Sequence, residues 1–590
     1  MGVFHTKRIP GAGPIMALAG LVLAVSGYAD WPWLALPARL LSADGMLDSD
    51  YLRLMANSQA TFGVLLVLAS ALEILAPRTW RRVRQALWSG SVRRFALSAA
   101  VLAAGTTALA QWVLFDNIPH VTDAISHLFQ AKIFAAGMIK APLPACHEHF
   151  AQINVLMTHS GFWFAPYPPG HALTLVPFVI VGATCLFGPL LSALTCLAFT
   201  KLARMFFDEP TARLAVLLLA FSPLFALIGG SFMSHISFLF YAVLMVLLLA
   251  LAIRDLAARG ERLGAKASAL GLLAGLAFGM TTLTRPQDAF LLALFVGVGI
   301  LVSGWTTLVA VLKLAPAMLL GLLLPAGVQL AWNRAIYGNW LAVGYGRTQL
   351  DLYYPLLLSR MGFHAGYTFP NAVRQFAWGL VRFDKALFGW TGGVLVLLPA
   401  LFLRRPRRIF RLAGISVAMV LGFYFFCDYY AFEFEARYFS PALPGAALLA
   451  AGTITGLRSR FPRLGPFMRM ALVAAGLHAF VFYWPQYLWP RYAHDYESAT
   501  PAIHAAAEQA VADKALVLIR GVGSNSFAYS AGFVWNDPRL QNRIIYGRDL
   551  PQKRTCLRER FPDRNLYWAE YDARTRQARV GRLESASAPP

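Results

Sequence analysis

Long apolar runs, separated by short polar segments, recur along most of the chain. Runs of roughly 17 to 22 residues are long enough to cross a lipid bilayer as helices, and the pattern contains about thirteen of them. The predicted spans lie near residues 14–30, 57–76, 95–115, 186–206, 211–229, 236–253, 268–283, 289–305, 309–330, 387–404, 411–427, 441–457 and 469–488. We therefore predict an all-α, polytopic membrane protein.

Composition supports this interpretation, and the positions of the charges orient the chain. Hydrophobic residues make up 58% of the sequence and charged residues 14%, whereas a soluble protein carries about twice that share of charge. The net charge of +23 comes from Lys and Arg in short segments between the apolar runs, such as RTWRRVRQALWSGSVRR and RRPRRIFR. Such segments are typical of cytoplasmic loops. We expect contact with a lipid bilayer and none with nucleic acid, a cytoplasmic N-terminus, and an outer C-terminal segment.

Four segments are then expected on the outer side: residues 116–185, SFMSH, residues 331–386, and CDYYAFEFEARYFS. Beyond about residue 500, the runs KALVLIRG, NRIIYGRD and NLYWAEYD have the composition of short strands and follow an Ala-rich helical segment. This predicts a small α/β domain. Cys146, Cys427 and Cys556 lie in or beside outer segments, so a disulfide is possible, but the odd total of five cysteines leaves the pairing open.

The segment HVTDAISHLFQAKIFAAG begins the first long outer loop. Asp123, His127 and Gln130 fall on one face of a predicted helix, and apolar residues cover much of the rest, as in an amphipathic helix at a membrane interface. Asp123 suits two roles, the N-cap of that helix or a general base acting on an acceptor hydroxyl. Asp116 closes the preceding span and is the second candidate for the base.

Two arginines lie at the outer ends of predicted helices. Arg285 in LTRPQD precedes a helix-ending proline, and Arg437 follows Glu433 and Glu435 in FEFEARYFSPALP. Arginine is suited to forked contacts with phosphate oxygens. The structural alternatives are a helix-end anchor for Arg285, and an ion pair with the glutamates or an interfacial anchor for Arg437.

Other polar residues on the outer side give weaker indications. His235 in SFMSH and His364 in GFHAGY are single histidines, and Lys385 lies at the outer start of a helix. The potential metal ligands at 147–149, in CHEHF, do not have the helical HExxH spacing and lack a third partner. We expect no cofactor, although a divalent metal remains possible. Ionisable residues largely avoid the middles of the apolar runs, unlike in transporters and proton pumps.

The order of these motifs resembles that in the C-type integral-membrane glycosyltransferases. The similarity is to protein O-mannosyltransferases, the lipid A aminoarabinose transferase and bacterial family-39-like enzymes, over roughly residues 95 to 457. Asp123, His127 and Gly137 have the spacing of a first-loop motif of Asp, Tyr and Gly. YPPGHAL resembles the Lys-Pro-Pro-Leu motif, and TRPQDAF, FGW and EARYFSPALPG resemble later motifs. The chain departs from the pattern with Ala124 for Glu, His127 for Tyr, and Tyr167 for Lys.

The resemblance implies transfer of a sugar from a polyprenyl-phosphate donor to an envelope lipid, glycan or protein. It places the active site at the periplasmic face of a bacterial inner membrane. Asp123 would be the base of an inverting reaction and Arg285 and Arg437 the phosphate ligands. The other candidate substrate-binding residues are His127, His235, His364 and Lys385. The predicted parts are N-terminal transmembrane helices with a basic loop (1–94), a transmembrane catalytic core with periplasmic loops (95–488), and a periplasmic C-terminal domain (489–590). A transporter or flippase of lipid-linked sugars, and an inactive paralogue, are the alternatives.

Overall fold

Apolar helices form most of the chain in the computed structural model. It describes residues 17–18, 21–22, 24–25, 49–75, 90–341, 362–364, 366–390, 392–402, 407–428, 434–462, 465–493, 495–521 and 529–583. The longer helices are Ser49–Leu75, Val92–Leu109, Thr122–Ala135, Gly170–Ile180, Phe187–Phe206, Glu209–Ala220, Pro223–Gly230, Ser234–Ala258, Ala265–Thr284, Pro286–Ser303, Trp305–Tyr337, Phe369–Phe388, Arg407–Phe425, Leu443–Arg460 and Gly465–His478. The positions agree with most of the predicted spans.

Eight helices within the described ranges are long and apolar enough to cross a membrane. The count is nine if Glu209–Ala220 and Pro223–Gly230, which meet at a bend of 50°, form one span. The protein is therefore a multi-pass membrane protein, whereas the number thirteen stays a prediction. The first predicted span, 14–30, lies largely outside the described residues.

The predicted span 387–404 differs from the structure. The helix Phe369–Phe388 ends there, and a short 3₁₀ helix, Leu395–Phe402, follows. Gly389 adopts a left-handed conformation with φ of 75°, which stops an α-helix. The helix Ala265–Thr284 packs closely against Trp305–Tyr337, because a Cβ on Gly275 would lie 1.9 Å from the carbonyl oxygen of Met318. Only glycine allows these two helices to pack so closely.

Two small sheets lie outside the helical part. In the first long loop, β1 (Ala141–Pro142), β2 (Leu156–Thr158) and β3 (Phe162–Phe164) form an antiparallel sheet in the order β1-β3-β2. In the tail, β4 (Ala515–Ile519), β5 (Ile544–Arg548), β6 (Asn565–Asp572) and β7 (Gln577–Arg582) have the order β5-β4-β6-β7. The central strand β4 pairs parallel with β5 and β6, and β7 pairs antiparallel with β6. The three predicted strands are confirmed, and β7 is a fourth.

The first long loop and the tail share one hydrophobic core. The rings of Phe129 and Trp163, from the loop, lie 5.0 and 6.0 Å from the ring of Phe533 in the tail. A disulfide joins Cys146 to Cys556 across 410 residues of sequence, which answers the pairing question, and Cys427 is free and buried. We call residues 116–166, 495–521 and 529–583 together the loop–tail unit.

Candidate functional site

The helix Thr122–Ala135 carries the first group of candidate residues. Its N-cap is Val121 and no side chain caps it, so the interpretation of Asp123 as the N-cap is wrong. The polar face is also not a solvent-facing stripe at a membrane surface. His127 and Gln130 are buried, and Gln130 bonds to the backbone of Ile139 and Ala165. The tail and the rest of the first long loop cover this helix, which the local sequence pattern could not reveal.

The carboxylate of Asp123 accepts hydrogen bonds at one oxygen and lies near a buried arginine at the other. Its Oδ1 accepts hydrogen bonds from the hydroxyl of Tyr167 at 2.5 Å and the amide of Asn154 at 2.6 Å. Its Oδ2 lies 3.8 Å from Nη2 of Arg437. The side chain of Asp123 is 27% exposed, whereas that of Arg437 is 5% exposed. The Asp123 carboxylate is therefore partly open to solvent and lies beside a buried cation.

Arg285 lies at the break between the helices Ala265–Thr284 and Pro286–Ser303. Its Nε donates to Oδ2 of Asp288 in a buried ion pair, and the other oxygen of Asp288 accepts from the hydroxyl of Tyr424 at 2.6 Å. Its Nη1 donates to the hydroxyl of Ser234 at 3.4 Å. Within the described part of the chain, Nη2 of Arg285 has no hydrogen-bond partner. A donor is therefore left over for an anionic group.

The ring of Tyr438 brings the two arginines together. The guanidinium carbons of Arg285 and Arg437 lie 5.7 and 5.2 Å from its centroid, and the His235 ring lies 5.9 Å away. His235 is 1% exposed, and neither of its ring nitrogens bonds to any residue that the structure describes. A buried polar group without a partner costs free energy, so these donors and acceptors fit a bound polar ligand.

His127 lies near Arg285, and its ring contacts other rings of the protein. Its ring centroid is 4.7 Å from those of Tyr167 and His171. His171 is fixed in turn by Ser237 at 2.8 Å and the carbonyl of Phe232 at 2.9 Å. Burial, with a further contribution from the charge of Arg285, lowers the pKa of His127 to about 3. The ring is therefore neutral and positions Tyr167.

Three predicted site residues have their observed contacts elsewhere. Lys385 donates to the hydroxyl of Tyr487 at 2.8 Å, in a second buried group. His364 lies 3.8 Å from Asp428 and is partly exposed. Burial, with smaller contributions from the charges of Asp495 and then Asp116, raises the pKa of Tyr571, so Asp116 lies near the tail.

The segment at 147–149 connects the loop to the tail. His149 bonds to the carbonyls of Arg548 and Lys553 at 2.8 and 3.2 Å, and Glu148 forms an ion pair with Lys553 at 2.6 Å. In the described ranges, no group of three or more His, Cys, Asp or Glu side chains could hold a metal ion. These contacts give the CHEHF segment a structural role.

Sequence reasoning missed several residues of the site, each for a different reason. Asp288 follows Arg285 by one helical turn, and Tyr438 follows Arg437 directly, so both could have been found from spacing. Tyr167 was noted as a departure from a family motif, without its contact to Asp123. Asn154 reaches Asp123 from 31 residues away, and no local pattern marks it. Sequence reasoning considered an ion pair of Arg437 with Glu435, but not the pairs of Arg437 with Asp123 at 3.8 Å and of Glu435 with Arg491 at 3.7 Å.

The fold is that of the C-type integral-membrane glycosyltransferases. The structure is similar to ArnT from Cupriavidus metallidurans bound to undecaprenyl phosphate, with a TM-score of 0.53 and 14% sequence identity over 81% of this chain and 93% of that one. It is also similar to the oligosaccharyltransferase AglB from Archaeoglobus fulgidus in complex with an inhibitory peptide and a dolichol-phosphate. That match has a TM-score of 0.44 and 13% identity over 81% of this chain and 69% of that one. No family model and no curated protein sequence matches the chain.

Proposed function

We propose that the protein is a glycosyltransferase that moves a sugar from a polyprenyl-phosphate-linked donor to a hydroxyl group of an envelope acceptor. The observation that carries this proposal is the position of the Asp123 carboxylate 3.8 Å from the buried Arg437, beside the unfilled donors of Arg285 and His235. A base next to a cationic pocket is what transfer from a phosphate leaving group requires. The structural relative bound to undecaprenyl phosphate supports a polyprenyl phosphate as the carrier.

The geometry suggests a role for each side chain. Oδ2 of Asp123 accepts the proton of the acceptor hydroxyl as the oxygen bonds to the anomeric carbon of the donor. The bond from that carbon to the phosphate oxygen breaks on the opposite face, so the configuration inverts. Negative charge then grows on the lipid phosphate, where Arg285 and Arg437 stabilise it. No metal is required by these steps.

We further propose that the site faces the periplasm of a bacterial inner membrane. The Cys146–Cys556 disulfide lies in the loop–tail unit, which also carries Asp123. Disulfides persist in oxidising compartments and are rare in the cytosol. This agrees with the basic segments, which favour a cytoplasmic position for the opposite ends of the helices.

The test is Asp123→Asn. The amide keeps an oxygen that accepts from Tyr167 and Asn154, but it cannot take the acceptor proton. We expect turnover to fall by about 10² to 10⁴-fold, the usual contribution of a general base, with the thermal stability nearly unchanged. Turnover is measured with purified protein, membrane extract as the source of lipid-linked sugar, and envelope extract as acceptor, with products identified by mass spectrometry.

The matched control is Asp116→Asn, which removes the other candidate base. Wild-type turnover in Asp123→Asn, or an equal loss in the control, contradicts the assignment of Asp123. A wild-type protein that binds the lipid-linked sugar and releases it unchanged would instead favour the transporter, the flippase or the inactive paralogue.

A further inference from the structure

A second buried group of charged side chains surrounds Glu435, two residues before Arg437. The hydroxyls of Tyr492 and Tyr487 donate to its two carboxylate oxygens at 3.0 and 3.5 Å. Lys385 donates to the Tyr487 hydroxyl at 2.8 Å, and Nε of Arg491 lies 3.7 Å from Oε1 of Glu435. We call these five residues the Glu435 cluster. Both oxygens of the Glu435 carboxylate are therefore used within the protein.

The same cluster holds an unusual backbone turn. Phe434 and Glu435 have φ angles of 53° and 58°, a left-handed conformation that costs free energy in residues other than glycine. The backbone N–H of Glu435 donates to the Tyr492 hydroxyl at 3.0 Å. The Phe434 ring packs 5.1 Å from the ring of Phe115 and 5.8 Å from that of Tyr492. Without these contacts the turn would relax toward ordinary backbone angles.

The turn leads directly into the phosphate pocket. The 3₁₀ helix Arg437–Ala442 begins two residues after Glu435, and Tyr438 is the ring on which both arginines lie. A change in the backbone at Glu435 therefore moves the guanidinium of Arg437 relative to the Asp123 carboxylate. We propose that Glu435 is a positioning residue that sets the place of Arg437 in the site. This inference rests on the proposed function.

The positioning role requires the negative charge of Glu435 as well as the size of its side chain. Glu435 lies between Lys385 and Arg491, and its side chain is fully buried. Glutamine in its place would leave two cations without their shared counter-ion, which is costly inside a protein. One of the two tyrosine hydroxyls would also lose its acceptor, because the amide nitrogen of glutamine donates and does not accept. The turn is thus expected to rearrange in Glu435→Gln although the side chain keeps its size.

The test is a double-mutant cycle read by binding of undecaprenyl phosphate to the purified, detergent-solubilised full-length protein. We expect Glu435→Gln to weaken binding by about tenfold, and to have no further effect when Arg437 is already replaced by alanine, as for residues that act through one another. Tyr492→Phe, which removes the hydroxyl that holds both the N–H and the carboxylate, is the second variant. It should behave in the same way, so the proposal remains testable if Glu435→Gln does not fold.

The control is Glu508→Gln, which breaks an exposed ion pair with Arg543 in the tail and should bind as the wild type does. Unchanged affinity in Glu435→Gln, or losses that multiply in the double variant, would refute the positioning role and leave the proposed function intact. If the wild-type protein itself shows no saturable binding, the proposed function fails, and this inference with it.

Discussion

The substitution Tyr167→Phe tests whether the orientation of the Asp123 carboxylate matters, because it leaves the carboxylate itself in place. The substitution removes only the hydroxyl, which donates to Oδ1 of Asp123 at 2.5 Å. The ring can still stack on His127, whose centroid is 4.7 Å away. Asn154 still donates to the same carboxylate oxygen at 2.6 Å. The carboxylate thus remains in the site and keeps one of the two hydrogen bonds that fix it.

The size of the effect follows from the kind of bond that is lost. A hydrogen bond to a charged group contributes about 1.5–3 kcal/mol, and about 1.4 kcal/mol corresponds to a tenfold change in rate. Full loss of orientation would therefore lower the turnover by about 10- to 100-fold. Because Asn154 continues to hold Oδ1, we expect the lower end, about tenfold. The phosphate pocket is untouched, so affinity for undecaprenyl phosphate should change by less than about threefold.

The assay measures turnover and undecaprenyl phosphate binding on the same preparations. Tyr337→Phe is the matched control, because the Tyr337 hydroxyl donates to the carbonyl of Pro166 at 3.0 Å. It therefore removes a hydroxyl bound to the same loop, one residue from Tyr167, without touching Asp123. Turnover of Tyr167→Phe equal to that of the wild type would refute the orienting role. An equal fall in Tyr337→Phe would show that the loop, and not the bond to Asp123, was disturbed.

Two further predictions concern the loop–tail unit. In protein taken from whole cells, Cys146 and Cys556 should resist alkylation until the disulfide is reduced. The free Cys185 should react once the protein is denatured, without a reductant. Alkylation of Cys146 and Cys556 without a reductant would contradict a periplasmic site. Burial, opposed by the charge of Asp537, lowers the pKa of Lys132 to about 8 from 10.5, so the unfolded chain binds more protons between these values and stability rises with pH there. Between pH 8 and 10.5, the thermal unfolding temperature should rise with pH in the wild type and rise less in Lys132→Met. Equal slopes of unfolding temperature against pH in the two proteins would contradict this prediction.

Local sequence patterns were enough for most of the helices but not for the surroundings of the site. An apolar run of sufficient length predicts a span wherever it occurs, and a break such as Arg285-Pro286 marks a helix end. The covering of the helix Thr122–Ala135 by the tail depends on contacts such as the bond from Trp163 to the carbonyl of Pro538, across 375 residues. Such contacts have no periodicity to detect. For this reason the sequence predicted Asp123 and Arg437 as site residues but not how Asp123 is held.

The proposed base and the proposed phosphate ligands belong to different parts of the protein. Asp123 lies on a helix whose buried residues belong partly to the core shared with the tail, whereas Arg285 lies between two apolar helices. Taken alone, each of these charged residues has a structural explanation for its position. The rings of Tyr167, His127 and His171 form a row of contacts between these parts, and His171 bonds to Ser237 near the start of a membrane helix.

Tyr167, the first ring of this row, stands where the related motif has a lysine. A lysine would add a third positive charge beside the two arginines, whereas Tyr167 donates a neutral hydroxyl to the carboxylate. The positive charge that remains is concentrated on Arg285 and Arg437, beside the ring of Tyr438. Compared with a lysine, Tyr167 leaves one positive charge fewer near the proposed donor and adds a neutral hydrogen bond to the proposed base. Under the proposed function, the two arginines still bind the phosphate, and the measured turnover of the wild-type protein separates an active enzyme from the inactive paralogue.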